Sequence, residues 1–374
     1  SEIKSESKKE AVLNTELNSE LKSVITTARY AFMLTSGATD FQLQIAAYYA
    51  AATWHTNKFD RFPFLALYGD TGVGKTTLMD AMEPICFNPV RISMGSETSA
   101  TIRQKFGKAS PGTVLVEEME QAKMTEVVSG YLVGRYALSS AHAAKMAPTG
   151  ERGWQEEEYI TFGATVMHCR DHFQDPAIEN RCIWLNMQLN AVRPKKSYYP
   201  VDRETMDSIA QVFEDTSNID LPEMEYPKDI IGRVADTYEP VMRLAQAVGD
   251  QSFIEEVVKQ MRVANIAFRD GQAYSPKALV LKALIGCLAV DDSSGAHLHI
   301  RSVAVEKELC KFMQNNYNQG MSSRNACQNL KEMGFTLRPS GGINKVMDIT
   351  VPQLANACLQ LGVVDELVAN ESKR

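Results

Sequence analysis

Phe64–Asp80 reads FLALYGDTGVGKTTLMD, and its interpretation decides the organisation of the whole chain. The run Phe64–Tyr68 predicts a buried strand, a glycine-rich loop follows, and a helix is expected from about Lys75. Gly69, Gly74, Lys75 and Thr76 stand at the spacing of the phosphate-binding pattern G-x-x-x-x-G-K-[ST]. The chemistry accounts for that spacing. Glycines let successive backbone N–H groups curl around an anion where a Cβ would block the approach. The first turn of the helix adds unpaired N–H groups and the positive end of its dipole. Asp70, Thr71, Gly72, Val73 and Thr77 complete the expected cradle for ATP. Lys75 is expected to reach the β- and γ-phosphates, and the Thr76 hydroxyl to bind Mg²⁺. The competing reading is a glycine-rich turn without a ligand; a strand before it and a helix after it argue against that.

Further along, Asn88–Ser93 (NPVRIS) predicts a short strand and Ala100–Phe106 a helix. Gly112–Gln121, GTVLVEEMEQ, has β-preferring residues followed by two acids, the layout of a Walker B strand. Such a strand ends beside the phosphate loop. Glu117 is then assigned to the Mg²⁺ water shell, and Glu118 to polarising the attacking water. An acidic turn capping the next helix is the alternative. The next strand, Ile160–Met167, leads to His168, Cys169 and Arg170 at its tip. His168 is the candidate γ-phosphate sensor there, or else a satisfied core histidine. Asp175–Met187 predicts a short helix, then Arg181, then a further strand. An arginine in that place either completes a neighbouring subunit's site or makes an internal carboxylate pair.

These stretches resemble an uncharacterised domain family of AAA+-type P-loop ATPases, found with primase modules in phage, plasmid and other mobile-element replication proteins. The resemblance runs from about Phe41 to Gly362 and is carried by IAAYYAAATWHTNKFDRFPFLALYGDTGVGKTTLMDAM, VLVEEME, ENRCIWL and YPKDIIGRVADTYEPVMRLA. It implies an ATP-driven, helicase-like role on DNA, with ATP and Mg²⁺ as cofactors. The sequence departs from the family at Glu117, where an aspartate is usual. The extra methylene matters because Mg²⁺ is strict about geometry.

The 374 residues suffice for two or three domains with cores of their own. The seven cysteines are scattered without C-x-x-C spacing, which suits reduced thiols in a cytoplasm and argues against structural zinc. No apolar run is long enough to span a bilayer, and no signal-peptide pattern opens the chain. A net charge of −7 excludes a basic coat, so any DNA contact must be local.

The expected division is a mobile polar segment at 1–20, N-terminal helices at 21–58 and a P-loop core at 59–192. A helical lid at 200–290, a winged-helix-like domain at 297–365 and a tail at 366–374 follow. Pro194–Pro200 reads as a linker, and Pro222, Pro227 and Pro240 as helix boundaries in the lid. Arg233 resembles the lid arginine that touches the γ-phosphate; a surface salt bridge with Asp229 or Asp236 is the alternative. Beyond the polar break Asp291–Gly295, helices at Ser302–Met313, Ser322–Met333 and Val351–Leu361 enclose a hairpin turning at Gly341–Gly342. Helices with a hairpin suggest a winged helix, which serves DNA and protein partners alike.

Between the Glu118 helix and the next core strand lies Ser139–Glu158, too long for a simple connection. It predicts a hairpin or loop projecting from the core. His142, Lys145 and Arg152 are its candidates for gripping the DNA backbone in a central channel; an ordinary loop with its cations paired to Glu151 and Glu156–Glu158 is the alternative. The expectation is therefore an α/β, ASCE/AAA+-like αβα core acting on single-stranded DNA as a cytoplasmic homo-oligomer, a hexameric ring, with a primase or other replication partner. A helicase loader, assembly or defence regulator that does not translocate is the second reading, and a small-molecule P-loop kinase the third.

Overall fold

Phe64–Tyr68 forms β1, whose first four residues are wholly buried because both faces of its sheet are covered by helices. This computed structural model describes residues 2–36, 38–119, 126–149, 153–170, 172–173, 175–188, 202–273, 276–290, 302–317, 321–339, 345–349 and 351–361. In chain order the strands that follow are β2 (Val90–Ser93), β3 (Val114–Glu117), β4 (His142–Thr149), β5 (Gly153–Ile160), β6 (Thr165–Cys169) and β7 (Cys182–Asn186). Five of them make one parallel sheet in the order β2-β3-β6-β1-β7, so β6 separates the strand of Glu117 from β1. The remaining pair, β4 and β5, is a separate antiparallel ribbon.

The helices are α1 (Glu2–Thr35), α2 (Asp40–Ala52), α3 (Lys75–Met82), α4 (Ser99–Lys108), α5 (Glu126–Tyr136) and α6 (Pro176–Glu179), then α7 (Arg203–Asp215), α8 (Gly232–Ala247) and α9 (Gln251–Ala273). Strand alternation sorts the core. Phe64, Ala66, Val114, Val116 and Met167 point to one face and pack with Ile102 and Phe106 of α4 and Leu132 of α5. On the opposite side α1, α2 and α3 pack against one another, with α3 on β6. Arg135, near the end of α5, is fully buried. It donates to Thr165 Oγ1 (2.9 Å) and to the carbonyls of Thr161 (3.0 Å), Gly112 and Ala164 (both 2.6 Å), stapling the starts of β3 and β6.

The chain divides into two units, residues 1–262 and 263–374. The second contains α10 (Pro276–Val290), α11 (Lys311–Tyr317), α12 (Ser323–Glu332) and α13 (Val351–Leu361). It also holds the antiparallel strands β8 (Ser302–Ala304), β9 (Thr336–Pro339) and β10 (Lys345–Asp348), in the order β8-β10-β9. Leu281, Leu284, Leu309, Leu330, Phe335 and Cys358 are central to its own core.

Several expectations change. Residues 2–20, expected to be mobile, continue α1; their Glu, Lys and Leu are good helix formers, and propagation from the packed segment at Leu21 needs no new nucleus. The sensor strand begins at Thr165, because Ile160 ends β5 and Gly163 (φ +154°) turns the chain between them. Pro240 lies inside α8, buried, rather than at a boundary. The α10 segment belongs to the core of the second unit instead of a lid. Ser302–Ala304 is a strand rather than the start of a helix, because it pairs with β10, 42 or more residues downstream in sequence. Pro194–Pro200, Asp291–Gly295, Gly341–Gly342 and residues 366–374 lie outside the described residues. All seven cysteines are free, and among the described residues no helix is long and apolar enough to cross a membrane.

Candidate functional site: a phosphate-loop cavity

The loop after β1 takes the shape its glycines permit. Gly69 has φ +145°, and a Cβ there would meet the Met187 carbonyl oxygen at 2.3 Å, so only glycine fits between β1 and the end of β7. Gly74, at φ +93°, is the N-cap of α3 and offers no side-chain cap, which leaves the first-turn N–H groups for a ligand. A cavity of about 340 Å³ opens at this point. Thr71, Gly72, Gly74, Lys75, Thr76 and Thr77 line it from the loop side; Glu118, His168, Cys169 and Arg170 face them. Gly69, Asp70 and Val73 shape the loop without lining the cavity.

Lys75 is buried, and its ammonium donates to the carbonyl oxygens of Gly69 and of Asp70 (2.7 Å). Burial holds its pKa below the usual lysine range; the Cys169 thiol works against that, and Arg170 adds to it. Glu118 follows β3 with φ +55°, a left-handed conformation that costs a non-glycine residue energy and here turns its side chain out of the strand onto the cavity wall. The Glu118 N–H stands 3.4 Å from either ring nitrogen of His168, and the Met119 N–H donates to the His168 carbonyl at 2.9 Å. His168 is buried; desolvation first, and then the Lys75 charge, lower its pKa to about 4. It is therefore neutral at pH 7 and able to accept a hydrogen bond.

Glu117 stands elsewhere. Its carboxylate does not line the cavity; Oε1 lies 3.5 Å from Nε of Arg91 on the adjacent strand β2. Of the two residues expected at the metal, Thr76 reaches the cavity and Glu117 is turned toward the arginine. Among the described residues no cluster of three or more His, Cys, Asp or Glu side chains could hold a metal. Any Mg²⁺ here would need the phosphates themselves as ligands, which is its usual habit.

Arg181 lies at the other end of the sheet. Its carbonyl accepts from the Phe64 N–H (2.9 Å), so it marks the amino ends of β1 and β7, roughly 15 Å from the loop at the strand rise of ~3.3 Å per residue. Its guanidinium sits 4.6 Å from the centre of the Tyr136 ring. Burial, followed by the charge of Arg233, pushes its pKa down. Its Nε and Nη1, and the Tyr136 hydroxyl, are buried without a hydrogen-bond partner among the described residues. No carboxylate pair of the expected internal kind forms there among the described residues.

Arg233, expected to touch a γ-phosphate, does not line the cavity. It lies in the first turn of α8, near Arg181, because Thr237 of that helix reaches the Asn180 carbonyl (3.4 Å) at the amino edge of β7. The salt-bridge alternative does not form either: Asp236 pairs with Arg61, and Asp229 with Arg262 (3.0 Å).

The ribbon β4–β5 places Lys145 opposite Glu157, and exposed His142 opposite Ile160. Arg152 and the side chain of Lys145 lie outside the described residues. Arg91 and Arg135 carry weight that sequence reasoning did not assign. Each is a lone arginine in an element, β2 or α5, and only the fold reveals its partners.

The chain matches no protein-family model and no curated protein. Among solved structures it is similar to SCCmec type IV Cch, described as an active helicase, at 12% identity and a TM-score of 0.41 over 88% of this chain and 71% of that one. It is also similar to the C-terminal region of NrS-1, at 11% identity and a TM-score of 0.36 over 84% and 76%. At these scores the reading of the site rests on its own geometry.

Proposed function

We propose that the chain is a Mg²⁺-dependent ATPase of the AAA+-like kind that works on DNA. One observation carries this reading: a phosphate loop with Lys75 and Thr76 faces an acid, Glu118, and a neutral polar group, His168, across a single cavity. The donor set fits a nucleoside triphosphate. Uncapped N–H groups of α3, the Lys75 ammonium and Arg170 suit phosphate oxygens, while the Thr76 hydroxyl and the nearby acids suit the metal. Mg²⁺, when bound, would neutralise charge on the β- and γ-phosphates.

The chain's own residues divide the work. Lys75 exchanges the Gly69 and Asp70 carbonyls for phosphate oxygens. Thr76 and Glu117 are the residues that would hold the metal. Glu118 orients a water and takes its proton on a carboxylate oxygen. His168, held neutral, adjusts the backbone at Glu118 to whatever occupies the γ-position. Arg181 is too far from this chain's own loop and is suited to a neighbour's site in a ring.

The test is nucleotide binding and turnover in Lys75→Ala and Glu118→Gln. Loss of both in the first, and loss of turnover alone in the second, are expected. Wild-type turnover in Glu118→Gln would discard the assignment of the acids.

A second reading, a nucleotide-gated loader or regulator that does not translocate, is favoured by the ribbon. Residues 142–160 carry Lys145 and Arg152 against Glu151, Glu156, Glu157 and Glu158, and Lys145 is cross-strand from one of them. An acidic ribbon suits a protein partner better than a DNA backbone. ATP-driven strand separation decides between the two readings. The cytoplasmic setting, the hexameric ring, the winged-helix role of the second unit and a primase partner belong to the same proposal.

A further inference from the structure

Arg91 sits among three carboxylates contributed by three parts of the chain. Its guanidinium contacts Asp80 of α3 through Nη2, Glu83 just beyond that helix at 3.4 Å, and Glu117 at the end of β3 at 3.5 Å. The register explains the last contact. Arg91 pairs with Leu115, so its side chain emerges on the same face of the sheet as Glu117, one strand over and two residues behind. Lys105 donates to the Arg91 carbonyl (2.8 Å) and fixes the backbone there. One guanidinium therefore links the helix after the glycine-rich loop to the strand that ends at Glu117, and Glu117 faces it instead of the cavity.

We propose that Arg91 is a positioning residue that sets the Mg²⁺ requirement of the nucleotide site by holding Glu117 against a competing internal cation. The proposal rests on the nucleotide-site reading given above. Mg²⁺ and Arg91 want the same carboxylate. A metal arriving with nucleotide must draw Glu117 away from the guanidinium, and the extra methylene of glutamate over aspartate supplies the reach to serve either. Replacing Arg91 by a neutral residue removes the competitor and leaves the Glu117 carboxylate free to turn to a metal. Metal should then bind at lower concentration. Because the pair is partly exposed, with Arg91 31% and Glu117 24% accessible, the shift should be modest, about three- to fivefold, as for other solvent-screened ion pairs.

The experiment titrates Mg²⁺ into protein holding a fluorescent, non-hydrolysable ATP analogue, and reads half-saturation for wild type, Arg91→Gln, Glu117→Gln and the double variant. Arg91→Gln is expected to lower half-saturating Mg²⁺ about three- to fivefold, and to have no such effect in the Glu117→Gln background. Arg91→Lys keeps a cation for Asp80 but has no Nε facing Glu83 and Glu117, so it should shift the same way and covers the case in which the glutamine variant fails to fold. An unchanged half-saturation in the folded Arg91 variants, or an equal shift with and without Glu117, overturns the role of Arg91 alone. Absence of Mg²⁺-dependent analogue binding by the wild type, with Lys75→Ala no different, overturns the nucleotide-site reading and this proposal with it.

Discussion

The backbone N–H of Glu118 stands 3.4 Å from the imidazole of His168, joining the tips of β3 and β6 on the wall of the cavity at the β1–α3 loop. The two strands are neighbours in the sheet, yet the pair works only because Glu118 adopts φ +55°. A glycine there would relax the turn. A buried neutral histidine stands there as the acceptor for that N–H.

The pH dependence follows from burial. His168 and His55 are both lowered from 6.5 to about 4, chiefly by desolvation. The unfolded chain therefore binds protons before the folded one does. Stability is complete above pH 6.5 and is lost as pH falls from 6.5 toward 4, by roughly 3 kcal/mol for each histidine. Urea unfolding across that range should show the slope, and His168→Gln should reduce it by about half while leaving that of His55. An unchanged slope would remove His168 from the titration.

Glu118→Gln should keep ATP binding and lower turnover by about a hundredfold or more, the scale for loss of a general base. Lys75→Ala should lose both. Equilibrium binding of a fluorescent nucleotide and phosphate release separate the two outcomes.

Arg135→Met should destabilise unit one by about 3 kcal/mol or more, since the Gly112, Thr161 and Ala164 carbonyls would lose their donor in a dry site. Urea midpoints provide the measurement. Lys75→Ala, at a site that opens to a cavity, should change the midpoint much less.

Arg181→Ala is expected to fold and to lose turnover. Mixed with Lys75→Ala subunits it should regain part of it, because an intact loop then meets an intact arginine. Lack of recovery would return Arg181 to a role within its own chain.

The ribbon offers a direct choice. If Lys145 grips a phosphate, Lys145→Ala should weaken all single-stranded sequences alike and reduce the salt slope by about 0.7. If its partner is Glu157 across the ribbon, the salt slope of DNA binding will not change, and the protein-facing reading gains.

By itself the sequence determined what local chemistry can encode. The FLALY strand, the glycine spacing, the acids after VLV and the helix starts at Ser322 and Val351 depend on residues within a few positions of one another. Gly69 shows where that ends: the motif asks for a glycine, but the reason it must be one is the Met187 carbonyl 2.3 Å from its absent Cβ, over a hundred residues away in sequence. Only the tertiary structure decided which charges meet. It turned Glu117 to Arg91, brought Arg233 to the amino edge beside Arg181, buried Arg135 among backbone carbonyls and paired Ser302–Ala304 into a sheet. A charged side chain has no periodicity of its own. Its energy depends on burial and on the nearest opposite charge or acceptor, and both are set by strand order and register rather than by neighbours along the chain.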